Sequence, residues 1–146
     1  MIDKNYIPAR CNCANIRKAA RHITKFYDAC LAPVGIRATQ FTMLGHLKHG
    51  GPVTMLQLAR LMVMDPATIG NNLRPLQRDG LVKISVSKAD RRARIVEVTE
   101  AGLDKVAAGR KEWDRAQAEF EKKFGKTQAK ALRQLMDSVV DCELIA

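Results

Sequence analysis

A mainly α-helical fold with one small β-hairpin, in the order α-α-α-α-β-β-α-α, is predicted by three observations. Apolar residues recur at helical spacing at both ends of the 146-residue chain. Between residues 65 and 99, a capped helix start runs into a glycine stop and then two short β-branched runs. Positive charge gathers in that same stretch: Arg74 to Arg94 holds seven Lys/Arg, with Asp79 and Asp90 as its acids. A helix followed by a basic hairpin is the layout of a winged helix-turn-helix, here with long helices at either end.

Ile16, Ala19, Ala20, Ile23, Phe26, Tyr27, Cys30 and Leu31 place the first helix over roughly Pro8 to Leu31, with Pro8 in its first turn and Pro33 and Gly35 closing it. Phe41, Leu44 and Leu47 mark a shorter second helix that stops at Gly50-Gly51. Thr54 caps the third, with Leu58, Leu61 and Met62 facing inward. Asp65 caps the fourth, Pro66 occupies its first turn, and Gly80 ends it. Leu81 to Ser87 reads as a strand, and Ile95, Val96 and Val98 as its return. Thr99 caps a long fifth helix to about Phe124. Thr127 opens a sixth, on which Leu132, Leu135, Met136, Val139 and Val140 form one stripe. No repeat, linker or low-complexity tract interrupts this order, so 1–146 reads as one domain. Its head covers about 37–99, and its dimerisation helices about 8–32 and 100–146.

The net charge of +10 and a pI near 9.8 point to a polyanionic partner. The charge is unevenly placed. Residues 1–99 carry 16 Lys/Arg against 6 Asp/Glu, whereas residues 100–146 carry 9 of each. The N-terminus has no apolar signal-peptide core, and no run approaches the ~18–20 apolar residues of a membrane span. A cytoplasmic protein is therefore expected, in which four cysteines are not a disulfide framework. No catalytic Ser/His/Asp set, phosphate-binding glycine loop or metal motif is visible, so an enzyme, a cofactor and a metal are not expected.

On the fourth helix, Ile69, Leu73 and Leu76 fall within ~40° of one another and face the domain. The opposite side presents Ala67, Thr68, Asn71, Arg74, Pro75 and Arg78. These are groups that a major-groove helix uses: Asn for an adenine edge, Arg for guanine, and Thr or Ala for a thymine methyl. Pro66 and Asn72 complete the expected contacts on this helix, and Thr54 adds one from the cap of the third. Gly70 costs about 1 kcal/mol of helix propensity against Ala. Pro75 removes the bond to the Asn71 carbonyl and is expected to kink the helix, bending its last turn away. At the hairpin tip, Lys88, Arg91, Arg92 and Arg94 suit phosphate and the minor groove. Asp90 is expected to pair with a neighbouring arginine and aim it.

Leu58-Ala59-Arg60-Leu61, the helix from Asp65, Asn72-Leu73-Arg74-Pro75-Leu76-Gln77-Arg78-Asp79-Gly80-Leu81-Val82, and Asp90-Arg91-Arg92 followed by Val98-Thr99-Glu100-Ala101-Gly102 resemble the MarR family of bacterial repressors. The resemblance covers nearly the whole chain, and the Asp-x-Arg wing with its downstream Thr-x-x-Gly is its most specific part. It implies that Asp90 orients Arg92, that Arg92 enters the minor groove, and that helix four reads the major groove. It also implies a homodimer with interlocked terminal helices. The apolar stripes at both ends point the same way, as does the need to span about one turn of a palindromic operator, on the order of 34 Å.

Two release signals are open. Relatives commonly let go of double-stranded DNA on binding an aromatic or phenolic ligand, and His22, Phe26, Tyr27 and His46 are candidates for such a pocket. Alternatively, Cys11 and Cys13, with Cys142 from the far end of the chain, could sense peroxide, since Arg10, Arg17 and a helix start favour a thiolate. Composition alone also admits a sequence-tolerant nucleoid or RNA-binding winged helix.

Overall fold

The computed structural model describes residues 5–145. Its helices are α1 (Asn12–Leu31), α2 (Ala38–Gly50), α3 (Met55–Met62), α4 (Pro66–Arg78), α5 (Glu100–Phe124) and α6 (Lys126–Asp141). Its strands are β1 (Val53–Thr54), β2 (Val82–Val86) and β3 (Arg94–Val98). The strands form an antiparallel sheet in the order β1-β3-β2, with Val53 opposite Val96 and Ile84 opposite the same Val96 on the other side. The expected hairpin is therefore present and gains a third, two-residue strand. Val53 and Thr54 are too short a run to show alternation, so they escape sequence reading.

The core lies under the sheet. Met43, Leu44 and Leu47 of α2, Leu58 and Ala59 of α3, Ile69, Leu73 and Leu76 of α4, and Val82 and Val96 of the sheet are buried together. On α3 the expectation was half right. Leu58 is buried, but Leu61 is 55% exposed and Met62 only half-buried, and Ala59 takes the inward place. The start of α1 also differs. Pro8–Arg10 forms a separate 3₁₀ turn, and Cys11 caps α1, its Sγ accepting the Ala14 N–H at 3.4 Å.

The long helices are tied to the head by specific polar bonds. Asp28 of α1 accepts the Ala38 N–H at the start of α2 (2.7 Å). Lys105 of α5 donates to the Val34 carbonyl (2.9 Å). Thr99 makes the tightest joint. Its Oγ1 accepts the Gly102 N–H (3.1 Å) and donates to the Gly80 carbonyl (2.6 Å), while its own N–H donates to the Leu81 carbonyl (3.0 Å). A Cβ at Gly102 would collide with that same Leu81 carbonyl oxygen and come within 2.6 Å of Val98 Cγ2. The Thr-x-x-Gly spacing is thus the requirement for seating α5 directly on the turn that ends α4.

Candidate nucleic-acid interface

The interface is built on α3, α4 and the β2–β3 wing. Thr54 caps α3 reciprocally with Gln57: Oγ1 accepts the Gln57 N–H (3.1 Å), and Gln57 Oε1 accepts the Thr54 N–H (2.8 Å). The Thr-x-x-Gln spacing was a readable signal for Gln57, which had not been singled out. Asp65 caps α4 with both oxygens, accepting the Thr68 N–H (2.8 Å) and the Thr68 hydroxyl (2.9 Å). These bonds hold its carboxyl below its ordinary value, because they favour the ionised form.

Ile69 and Leu73 are fully buried and Leu76 nearly so, which turns the opposite side of α4 outward. Pro66, Ala67, Asn71, Arg74 and Arg78 are exposed, and Thr68, Asn72 and Pro75 are half-buried. Two of these have local duties. The Thr68 hydroxyl is taken by Asp65, and Asn72 Nδ2 donates to the Thr68 carbonyl (2.8 Å). Asn71 and Arg74 hold the open positions on the outward side. The helix runs unbroken through Pro75 to Arg78, so it does not end early. At Gly70, an added Cβ would meet only Met55 Cε at 3.9 Å, an ordinary contact, so packing within the chain does not demand glycine there.

The wing tip is a turn closed by its own polar groups. The Ser87 N–H donates to the Ala93 carbonyl (2.9 Å), and Ser87 Oγ accepts from Ala89 and Asp90 (3.3 Å each). Asp90 Oδ1 accepts the backbone N–H of Arg92 at 3.0 Å. Asp90 was expected to pair with a neighbouring arginine and aim it; the bond the structure shows is to the Arg92 backbone, so Asp90 shapes the turn that carries Arg92. The reason is reach: a short carboxylate two residues away meets the backbone N–H first, as in an Asx turn. Lys88, Arg91, Arg92 and Arg94 are exposed, and all four cations stay available to an anion.

Between α4 and the wing lies a cleft of about 280 Å³. Met55, Leu73 and Ile84 supply apolar walls, and Arg74, Gln77 and Arg94 supply polar ones. A second, shallower groove is lined by Val53, Gln57, Arg60 and Leu61. Neither is lined by His22, Phe26, Tyr27 or His46. Phe26 and Tyr27 instead pack edge to face, 5.7 Å apart, and the Tyr27 hydroxyl donates to Gln117 of α5. Burial, and then the nearby Glu121 carboxylate, push the Tyr27 phenol up. His22 is exposed and His46 half-buried. Cys11 is half-buried, Cys13 and Cys142 are exposed, and all three are free thiols. No helix among the described residues is long and apolar enough to cross a membrane.

Comparison with known proteins agrees with this geometry. A sequence model of the MarR family matches residues 34–93, the head and most of the wing. The HTH-type transcriptional repressor NicR of Pseudomonas putida is 32% identical over 87 residues, covering 60% of this chain. That match spans about half, 55%, of NicR's own length. The M. tuberculosis transcriptional regulator MOSR, solved in complex with DNA, superposes with a TM-score of 0.79 at 30% identity. It covers 92% of this chain and 100% of its own. BpsR of Bordetella bronchiseptica, whose structure addresses regulation of its DNA binding by 6-hydroxynicotinic acid, shares the fold. Its TM-score is 0.82 at 19% identity, over 94% of this chain and 99% of its own.

Proposed function

Since this chain belongs to the MarR family, we propose that it is a cytoplasmic, homodimeric repressor that binds a palindromic operator and releases it on binding a small aromatic ligand. The carrying observation is the division of α4: Ile69, Leu73 and Leu76 are buried, while Asn71 and Arg74 are exposed beside a wing of four exposed cations. In this reading α4 enters the major groove, Asn71 and Arg74 touch base edges, and Pro66, Ala67, Thr68 and Asn72 line the approach. Thr54, at the start of α3, and Lys88, Arg91 and Arg94 meet phosphate, and Arg92 enters the minor groove. Asp90 acts by fixing the turn under Arg92. The exposed apolar side chains of α6, including Leu135, Met136, Val139 and Val140, pair two such heads. The reading helices of the two heads then meet the same face of the duplex.

The cleft between α4 and the wing is the site for the effector. Its size suits one ring, Met55, Leu73 and Ile84 offer that ring an apolar wall, and Arg74 and Arg94 flank it for a carboxylate. A ligand held by Arg74 would take that side chain from DNA, so binding and release would compete for one residue. No enzymatic step is assigned to the chain.

The test is selection of duplexes from a random pool, followed by titration at several salt concentrations. A preference of ~10³ or more over random DNA supports an operator-binding repressor. Equal binding to all duplexes, lost steeply with salt, would make the protein a sequence-tolerant binder of polyanions. Arg94→Ala should abolish any thermal shift given by aromatic carboxylates.

A second reading is favoured by Cys11, a free thiol whose sulfur caps α1 by accepting the Ala14 N–H. Peroxide would oxidise the Cys11 sulfur to a sulfenic acid, which condenses with the thiol of Cys13, or of Cys142 in the second subunit, and releases water. Hydroperoxide treatment that leaves both DNA binding and the non-reducing gel unchanged removes this reading.

A further inference from the structure

Among the described residues, the left-handed region is held by Gly35, Gly51, Gly80 and Gly125, and by a single residue with a side chain, Val63 at φ 52° and ψ 48°. For a β-branched residue this is a true outlier, because the branched side chain crowds its own backbone. The backbone bonding demands the conformation. The Val63 N–H donates to the Arg60 carbonyl (3.2 Å) and the Met64 N–H to the Ala59 carbonyl (2.9 Å). That pair of bonds closes a helix only when the residue between is left-handed, which is why glycine ordinarily stands there. Met64, packed against the core, holds the far side of the turn.

Little offsets the strain at the side chain. Val63 is 70% exposed, so its methyls gain little burial that glycine would forfeit. Glycine would make the same turn without the crowding, as Gly80 does at the end of α4, where its N–H donates to the Gln77 carbonyl and the Leu81 N–H to the Leu76 carbonyl. The strain also sits at a sensitive point. Val63 is two residues before Asp65, whose carboxylate and carbonyl receive the Thr68 and Ile69 N–H groups that start α4. The turn at Val63 therefore sets the angle at which α4 leaves α3.

We propose that Val63 is a positioning residue, a strained hinge that keeps the first turn of α4 close to release and so sets how readily the reading helix unseats. This rests on the DNA-binding reading for its consequence, though not for its physics. Left-handed strain of this kind shifts the equilibrium between seated and released turn about 5- to 30-fold.

Hydrogen exchange on the free protein and operator dissociation on the complex test the proposal, using Val63→Gly, Val63→Asn and Val63→Ala. Exchange of the Thr68 and Ile69 amides should slow about 5- to 30-fold in Val63→Gly, with the asparagine variant intermediate and alanine nearest the natural protein. Leu44 and Leu47 in α2 are the reference, and their amides should change less. The operator complex of Val63→Gly should dissociate more slowly. Unchanged exchange in Val63→Gly, or an equal change at Leu44 and Leu47, overturns the hinge. A tenfold loss of operator affinity shared by all three variants also overturns it, since it would make the valine methyls a DNA contact. If the natural protein prefers no duplex, the DNA-binding reading fails, and the exchange comparison still decides the strain.

Discussion

The head and the terminal helices of this molecule use apolar residues in opposite ways. From Ile36 to Val96 the large aliphatic residues of α2, α4 and the sheet are mostly buried against one another, and Leu31 of α1 and Val106 of α5 complete that core. In α1, α5 and α6, Leu31, Val106, Ala116 and Ala129 are buried, while Ile16, Leu103, Phe124, Leu135, Met136, Val139 and Val140 lie open. The charge divides along the same line, with the excess of cations before residue 100 and balance after it. A finished core can present its polar groups at leisure, and here it presents them to an anion. An unfinished apolar surface costs free energy in water, at roughly 25 cal/mol per Å², until another surface covers it. The difference teaches that one chain contains a reading unit and, on the function proposed above, half of a second, shared structure.

The largest effect should come from the shared half. Leu135→Glu with Val139→Glu alters side chains that are exposed in the single chain. It should give monomers by sedimentation and weaken operator binding about 10²-fold or more, because the two half-sites lose their linkage. A dimer that keeps full affinity would break the comparison, since α6 would then be no interface. Next comes the joint between the regions. Gly102→Ala drives a methyl into the Leu81 carbonyl and Val98, and should cost about 3 kcal/mol in denaturant unfolding, at the upper end for overpacking. An unaffected stability would mean that α5 is seated loosely.

Within the head, Arg74→Ala and Arg92→Ala separate base reading from phosphate contact. Arg74→Ala should cost about 1–3 kcal/mol at one base position per half-site, with other positions unchanged. Arg92→Ala should weaken all duplexes and leave thermal stability intact; a sharp loss at one base instead would exchange the two roles. The smallest effect concerns the cap of α4. Asp65 has a folded pKa below its ordinary 3.8, so its stabilisation is complete above that value and is lost as pH falls through the lowered one. The stability difference between the natural protein and Asp65→Asn should therefore be present at neutral pH and disappear in strong acid. Thermal melts across that range check it, and a difference that persists would make the cap independent of charge.

Much of the head was legible because its signals are local. The 3.6-residue period placed Ile69, Leu73 and Leu76 inside, and Thr54, Asp65 and Thr99 stood where caps stand. Other features turn on distances between segments. Ala59 replaces Leu61 on the buried side of α3, a choice that depends on how near the neighbouring helices approach. Asp90 was legible as an acid among cations, but only the folded turn shows that the Arg92 N–H reaches it first. The cleft walls Met55, Gln77 and Ile84 come from three elements, and no spacing along the chain brings them together.

By itself, the sequence determined the order of elements, the helix starts, the face of α4 that turns outward and the sign of the field around it. These follow from periodicity, capping chemistry and charge, which act within a few residues. The tertiary structure alone decided the third strand, the seat of α5 on the Leu81 carbonyl, the cleft beside Arg74 and the left-handed valine between α3 and α4. Those depend on which distant groups meet, and long-range packing and hydrogen bonding settle that only once the chain has closed on itself.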